Sequence, residues 1–426
     1  MPFPLLHPWP QRLALASAIL LAAGCVTSEG LEPNARLQPA GALQAGRSLD
    51  GVALSPAAWP RQDWWTGLGD RQLDQLIGEA LQGTPDLQIA EARARQAAAT
   101  AQAQDAARQP TLDAKASYSG IRAPTSVAPA PLGGRYSAIK YLSLGFNYDF
   151  DLWGGERAAW EAALGQANAA RIDSQAARIG LSASIARAYS DLAVLLGKGP
   201  DRGLELQRPQ PLNPASLSLP SVLPAELLGR RADIVAARWR VEAARRNIDS
   251  AKTEFYPNLN LGAMAGLAAL HTSDVLQAPS RFFQVAPAIS LPIFDGGRRR
   301  ANLAERDADY DLAVGQYNKT LVQALGEVSD NLGKLRSLEQ QVIDQRQARD
   351  IARSNFDLAM RRYGEGVGSY LDALSVQQQL LVAERQLASL ESQQIDLSVQ
   401  LVQALGGGFQ PDSRSAALAT AKAPAE

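Results

Sequence analysis

The chain of 426 residues holds one cysteine and two histidines. A lone thiol excludes an intramolecular disulfide. His7 lies in the N-terminal segment and His271 in a loop between two expected strands, so no histidine-based metal site or triad can be assembled; neither a catalytic residue nor a cofactor is expected. Charge of one sign is missing as well: 42 basic against 43 acidic side chains leave a formal net charge of −1, which offers nothing to nucleic acid. After the first 25 residues no run of roughly 18 apolar residues occurs, so no bilayer-spanning helix is expected. Proline is missing throughout 298–362, where glycine is also sparse.

That last gap organises the chain. Leu303, Ala304, Tyr310, Ala313, Val314, Tyr317, Leu321, Leu325, Val328, Leu332 and Leu335 recur at spacings of three and four, the period of an amphipathic helix. About 65 residues at about 1.5 Å each make a rod of roughly 100 Å, a length that belongs to coiled coils and helical arrays. The chain turns at Tyr363-Gly364-Glu365-Gly366-Val367-Gly368 and returns along Leu371, Leu374, Leu380, Leu381, Leu387, Leu390, Ile395, Leu401 and Leu405. Gly364, Gly366 and Gly368 are expected to supply positive φ where the helices reverse. Such a hairpin does not bury both stripes alone, so other helices must lie beside it.

Arg12 followed by the apolar stretch 13–23 reads as a signal peptide. Leu21-Ala22-Ala23-Gly24-Cys25 resembles a bacterial lipobox, which implies that Cys25 is the lipidated first residue of the mature protein; Val26 after it resembles lipoproteins sent to the outer membrane. Residues 26–60 lack periodicity and read as an extended leader. Asp63-Trp64-Trp65 introduces a helix with Leu73, Leu76, Ile77 and Leu81 on one face, and a longer helix from Asp86 to about Arg108 is stopped by Pro110.

The period then changes to two. Leu112, Ala114, Ala116 and Tyr118 alternate with Asp113, Lys115, Ser117 and Ser119; Leu142, Leu144, Phe146, Tyr148 and Phe150 alternate with Ser143, Asn147, Asp149 and Asp151. Each is a strand with one apolar and one polar face. A helix from Gly155 to about Leu196 follows, after which the same order of elements recurs. An offset of 147 residues places Asp86 on Asp233, Arg93 on Arg240, Pro110 on Pro257 and Leu112 on Leu259, an internal duplication. Leu259, Leu261, Ala263 and Ala265 mark a third strand, and Phe283, Val285, Ile289 and Leu291 a fourth, in which Pro287 is expected to bring an end or a bend.

Four short strands cannot close a barrel, because small closed barrels need about eight, and their edges would invite aggregation. Strands of this length with one apolar face suit a transmembrane barrel, apolar outward and polar toward a lumen. Three copies would supply twelve strands.

On these residues the chain resembles the outer-membrane efflux proteins of the TolC and OprM type, in particular the lipid-anchored, NodT-like branch. The resemblance rests on the lipobox, Asp63-Trp64-Trp65, Pro85-Asp86-Leu87, Leu223-Pro224-Ala225-Glu226-Leu227-Leu228 with Arg230-Arg231-Ala232-Asp233-Ile234, Phe255-Tyr256-Pro257 and Pro292-Ile293-Phe294-Asp295-Gly296-Gly297. It implies a mainly α fold with a small β part: long periplasmic coiled-coil hairpins and four strands per chain in a trimeric twelve-stranded barrel. The implied function is a passive, non-enzymatic outer-membrane exit duct of a tripartite efflux system, of the RND type, for small molecules or drugs. Its implied partners are two further copies, outer-membrane lipid, a periplasmic adaptor (membrane fusion) protein and an inner-membrane pump. A non-pore, adaptor-like periplasmic lipoprotein is the alternative, but it leaves the strand pairs without a purpose.

The resemblance divides the chain into a signal peptide (1–24), a lipidated extended segment (25–62), a first repeat (63–197) with strands near 111–122 and 138–151, an equatorial linker (198–224), a second repeat (225–407) with strands near 258–268 and 282–293 and a hairpin over 295–407, and a disordered tail (408–426). The first repeat departs from the family, since its hairpin is shortened. Either the duct is truncated and fails to seal, or a partner fills the gaps. By resemblance Arg362, Tyr363, Gly364, Gly366, Gly368 and Leu371 form the adaptor-contacting tip, while Asp372 and Ser375 stand at the periplasmic aperture, where carboxylates from three chains would favour cations. Ser369 and Asp372 also fit a helix-capping pattern. Asp113, Lys115, Asn147, Asp149 and Asn260 are expected to face the lumen. Trp64 and Trp65 are read as core residues and Trp153 as an interfacial one.

Overall fold

A computed structural model describes residues 27–39, 59–127, 133–187 and 227–415; Cys25 and the expected linker 198–224 lie outside them. The fold is mainly helical with one four-stranded antiparallel sheet. After a 3-10 turn at Trp64–Leu68 come α1 (Arg71–Leu81), α2 (Pro85–Ala107), β1 (Thr111–Arg122), β2 (Tyr136–Phe150), α3 (Gly155–Arg187), α4 (Ala232–Thr253), β3 (Asn258–Ala269), β4 (Arg281–Ser290), α5 (Arg298–Gly364) and α6 (Tyr370–Ala404). The chain divides into two compact units, 1–34, 98–165 and 242–311 against the remainder, and each draws on both repeats.

The first unit carries the sheet, in the order β1-β2-β3-β4. β4 ends at Ser290, short of Leu291, and runs straight through Pro287, which pairs with Leu261. The expected break does not occur: within the chain β4 lies at the sheet edge, where a missing N–H is tolerated. Asp151 starts α3 by accepting from the backbone N–H groups of Glu156 (3.1 Å) and Arg157 (2.8 Å). Asp295 serves α5 in the same way, accepting from Gly297 (3.1 Å) and Arg299 (3.2 Å) and pairing with the Arg299 guanidinium at 2.7 Å. Residues 27–34 lie on the start of α5: Arg300 donates to the Thr27 carbonyl (2.6 Å), Leu31 joins Ile248, Ala251 and Leu303, and the Asn34 N–H reaches Asp311 at 3.1 Å. Under this segment Asp307 is buried with neither carboxylate oxygen hydrogen-bonded.

In the second unit Trp64, Leu73, Leu76 and Ile77 meet Ala183 and Ile185 of α3 and Val399 and Val402 of α6, so the tryptophan pair is core, as its sequence setting indicates. Trp64 and Trp65 meet edge to face at 6.0 Å. The second cluster sets Val328 and Leu332 of α5 against Leu401, Ala404 and Leu405. Gly406, Gly407 and Gly408 all have positive φ and close approaches; added β-carbons would lie 2.0 Å from the Arg230 carbonyl oxygen, 2.2 Å from the Ile179 side chain and 2.1 Å from the Arg61 carbonyl oxygen. Buried Arg231 donates to Asp233 (2.7 Å), Glu327 (2.8 Å) and the Ala404 carbonyl (3.0 Å). Residues 408–415 differ from the expected disordered tail: Phe409 is buried with Ile172 and Val235, and Ser415 accepts from the Trp239 indole at 3.0 Å. An aromatic anchor, an indole bond and the Arg171–Asp412 ion pair hold them in place.

Candidate pore wall and hairpin tip

The register of the sheet sorts its side chains into two faces. Leu112, Phe146, Ala263 and Val285 stand in one row across all four strands, Ala114, Leu144, Ala265 and Phe283 in the next, and Phe150, Leu259 and Ile289 in another. This face is apolar and open: Leu112 is 69% and Phe283 87% exposed. The opposite face carries Asp113, Lys115, Asn147, Asp149 and Asn260, and Asn260 donates to Asn147 (3.0 Å) and Asp149 (2.8 Å). β1 and β4 each leave one edge unpaired within the chain. Below the sheet Trp153 stacks on Tyr256 with ring centroids 4.8 Å apart, its indole donating to the Pro257 carbonyl at 2.7 Å. The sequence offers Tyr256 only as part of the Phe255-Tyr256-Pro257 motif; its stacking on Trp153 is decided by the fold.

The tip belongs to the second unit. α5 ends at Gly364, the Val367 N–H bonds the Arg362 carbonyl at 3.0 Å, and Gly366 alone of the three glycines has positive φ, +78°. The expectation for the other two is corrected. Gly364 is the last helical residue, and Gly368 is needed for close approach, since a β-carbon there would lie 3.2 Å from Arg362 Cβ. Ser369 caps α6 in a capping box: its hydroxyl accepts from the Asp372 N–H (3.1 Å) while the Asp372 carboxylate accepts from the Ser369 N–H (3.2 Å). Bonding to the Ser369 hydroxyl and N–H, with the Arg362 charge nearby, outweighs desolvation and holds Asp372 below the usual carboxylate range. Ser375 folds back onto the Asp372 carbonyl at 2.8 Å. Leu371 is 75% exposed, as are large parts of Tyr363, Val367, Tyr370 and Leu374, and Tyr363 and Tyr370 lie 5.5 Å apart. The return stripe is therefore split: Leu380, Leu387, Leu390, Leu401 and Leu405 are buried, but Leu371, Leu374 and Leu381 are not.

A helical hairpin, a duplicated strand pair and an open sheet with one apolar face find their counterpart in one family, described as outer membrane efflux protein, which the chain matches over residues 76–198 and 223–407. The chain belongs to this family. Among relatives of the outer membrane efflux family it is 28% identical to the multidrug resistance outer membrane protein MdtP of Escherichia coli strain K12, over 94% of this chain and 97% of that one. It is 32% identical to the fusaric acid resistance protein FusA of Burkholderia cepacia, over 70% and 69%. The crystal structure of the outer membrane protein VceC of Vibrio cholerae superposes with a TM-score of 0.74 at 33% identity, covering 83% of this chain and all of that one. The Campylobacter jejuni CmeC outer membrane channel shares the fold, with a TM-score of 0.79 at 20% identity. The chain is accordingly an outer-membrane protein of an efflux family whose members are channels rather than enzymes.

Proposed function

We propose that three copies close a twelve-stranded barrel and form the passive outer-membrane exit duct of a tripartite, RND-type efflux system. The observation that carries this reading is the open sheet: four strands with an exposed apolar face and two free edges are stable in lipid only when the edges are joined to other strands. The apolar face then meets lipid, and Asp113, Lys115, Asn147, Asp149 and Asn260 line a wet lumen. Cys25 carries the lipid anchor. The names of the multidrug and fusaric acid resistance relatives favour small toxic molecules as cargo.

The hairpin tip, from Arg362 and Tyr363 through Gly364, Gly366 and Gly368 to Leu371, is the docking surface for a periplasmic adaptor fed by an inner-membrane pump. Its exposed apolar side chains on a rigid, capped turn support this role. Asp372 and Ser375 stand at the aperture. The first hairpin is shortened. α3 has 33 residues against 67 in α5, so a helical excursion to equal depth and back needs about 68 more residues, whereas 39 separate Arg187 from Leu227. The alignment with MdtP spans 479 positions, although 94% of this chain is about 400 residues; about 79 positions are thus filled by the relative alone, which supports the same reading. A trimer presents three tips, and its adaptor has to seal the remaining gaps.

Heat-labile, detergent-resistant trimers in the outer-membrane fraction, with discrete single-channel conductance in planar bilayers, are the expected result. A water-soluble monomer would overturn the proposal, and a trimer that never conducts would restrict it to a truncated duct.

A further inference from the structure

The end of the sheet away from the helices carries a feature that the duct does not require. On the apolar face, at its far end, the register brings Arg122 opposite Tyr136 and Tyr118 opposite Lys140, and it places Arg281, the first residue of β4, in the row of Leu267 and Leu142, next below that of Lys140. Side-chain contacts gather Tyr118, Tyr136 and Lys140 on this face. The Tyr118 and Tyr136 hydroxyls are 3.2 Å apart, and the Lys140 ammonium lies 5.5 Å from the Tyr118 ring centroid. Lys140 donates to the Leu270 carbonyl at 2.6 Å and Arg122 Nε to the Gly134 carbonyl at 3.2 Å, which leaves the Arg122 terminal nitrogens and two ammonium hydrogens free. Among the described residues none of the three cations has a carboxylate within ion-pair distance. The acidic side chain of the adjoining loop, Asp274, accepts from Ser273 at 2.9 Å and Gln277 at 3.3 Å.

Cations held in hydrocarbon would be costly, and cations bathed in water would not need a ring of tyrosines on the lipid side. A basic and aromatic rim directly above an apolar band matches an anionic headgroup at the membrane surface. We propose that Arg122, Lys140 and Arg281, with the Tyr118 and Tyr136 hydroxyls, bind the phosphates of a glycolipid in the outer leaflet, of the lipid A class. Arg guanidinium groups pair bidentately with phosphate oxygens, and the tyrosine hydroxyls donate at the level of the sugar. In a closed barrel β4 of one copy adjoins β1 of the next, so Arg281 completes the site begun by Arg122 and Lys140 of its neighbour. The inference rests on the barrel proposed above.

The test uses the full-length trimer in detergent and in bilayers, with diphosphoryl lipid A as the probe, phosphatidylglycerol as the control anion and native mass spectrometry as the readout. Lipid A is expected to remain bound where phosphatidylglycerol does not. The triple variant R122Q/K140Q/R281Q, still trimeric and conducting, should bind about a hundredfold more weakly if each cation contributes about a factor of five. R281Q alone, at the sheet edge, should lose about a factor of five and serves as the measurement if the triple variant fails to assemble. A conducting trimer that ignores lipid A, holds phosphatidylglycerol equally well, or binds undiminished in R281Q overturns this inference and leaves the duct intact. Failure to form a trimer overturns both.

Discussion

α5 is one unbroken helix of 67 residues, yet its two stretches live in different surroundings. Between Leu303 and Val342 buried side chains recur along one face at Leu303, Val314, Tyr317, Leu321, Val328, Leu332, Leu338 and Val342; between Ile343 and Gly364 no residue is buried, and Ile343, Ile351 and Leu358 are exposed. The local pattern hardly changes between them. What changes is the company: the upper stretch is packed by residues from α6, from the N-terminal segment and from Trp59, whereas the lower one meets α6 through polar groups, Gln345 donating to the Ala383 carbonyl and Arg346 and Arg353 pairing with Glu391 and Glu384. Helical order and burial are thus separable. Capping, ion pairs and chain propensity hold the lower hairpin as helix, and only partners outside the chain would bury its apolar flank.

The largest test of this contrast lies at the three glycines where α6 meets the rest of its unit. Gly408→Ala forces a β-carbon to within 2.1 Å of a backbone oxygen at φ +81°, and we expect a loss of about 2–5 kcal/mol, read as failure to accumulate trimer. Next comes Leu321→Ala. This fully buried side chain should cost about 2–5 kcal/mol in chemical unfolding, while Leu358→Ala, half exposed, should change stability by less than about 0.5 kcal/mol. A large effect at Leu358 would show that the lower stretch is already covered by another copy or another helix, which would sharpen the comparison into a statement about assembly. Arg231→Gln removes a buried guanidinium from two carboxylates and a carbonyl. About 2 kcal/mol is expected, since the carboxylates themselves remain half exposed.

Two smaller effects follow from carboxylates of opposite behaviour. Burial raises the pKa of Asp307, and Asp311 and Glu32 add to this against the attraction of Lys252. The fold therefore prefers the protonated acid: stability is highest below the ordinary carboxylate value near about 4 and is lost as pH rises through the raised one. Asp307→Asn should raise the melting temperature at neutral pH and leave it unchanged in strong acid. Asp372 is lowered instead, so the stability it brings is present above the ordinary value and is lost as pH falls through the lowered one. Ser369→Ala should cost the tip about 1 kcal/mol of helix stability, measured by hydrogen exchange over α6. If Asp372 also acts at an aperture, Asp372→Asn changes single-channel cation selectivity while Ser369→Ala does not; equal behaviour of the two variants would reduce Asp372 to a cap.

The candidate tip was legible residue by residue because it is local: a glycine-punctuated turn, a serine and an acid three positions on. Even there, Gly364 and Gly368 look alike in sequence, and only the packing against Arg362 tells a helix end from a close approach. The same holds for Pro287, whose place at an edge rather than inside the sheet is a matter of which strand lies beside it. Trp153 meets Tyr256, and Lys140 reaches the Leu270 carbonyl, across more than a hundred positions each, so no window along the sequence contains either contact.

By itself, the order of residues determined the period of each segment, and with it the long hairpin, the four strands, the duplication and the family, because periodicity and turn chemistry are properties of neighbours along the chain. Tertiary structure alone decided which leucines of the return helix are buried, that residues 408–415 are docked, and that Lys140 reaches across to the Leu270 carbonyl. Those depend on what approaches from elsewhere, and a side chain's burial is set by the surface it meets rather than by its own hydrophobicity.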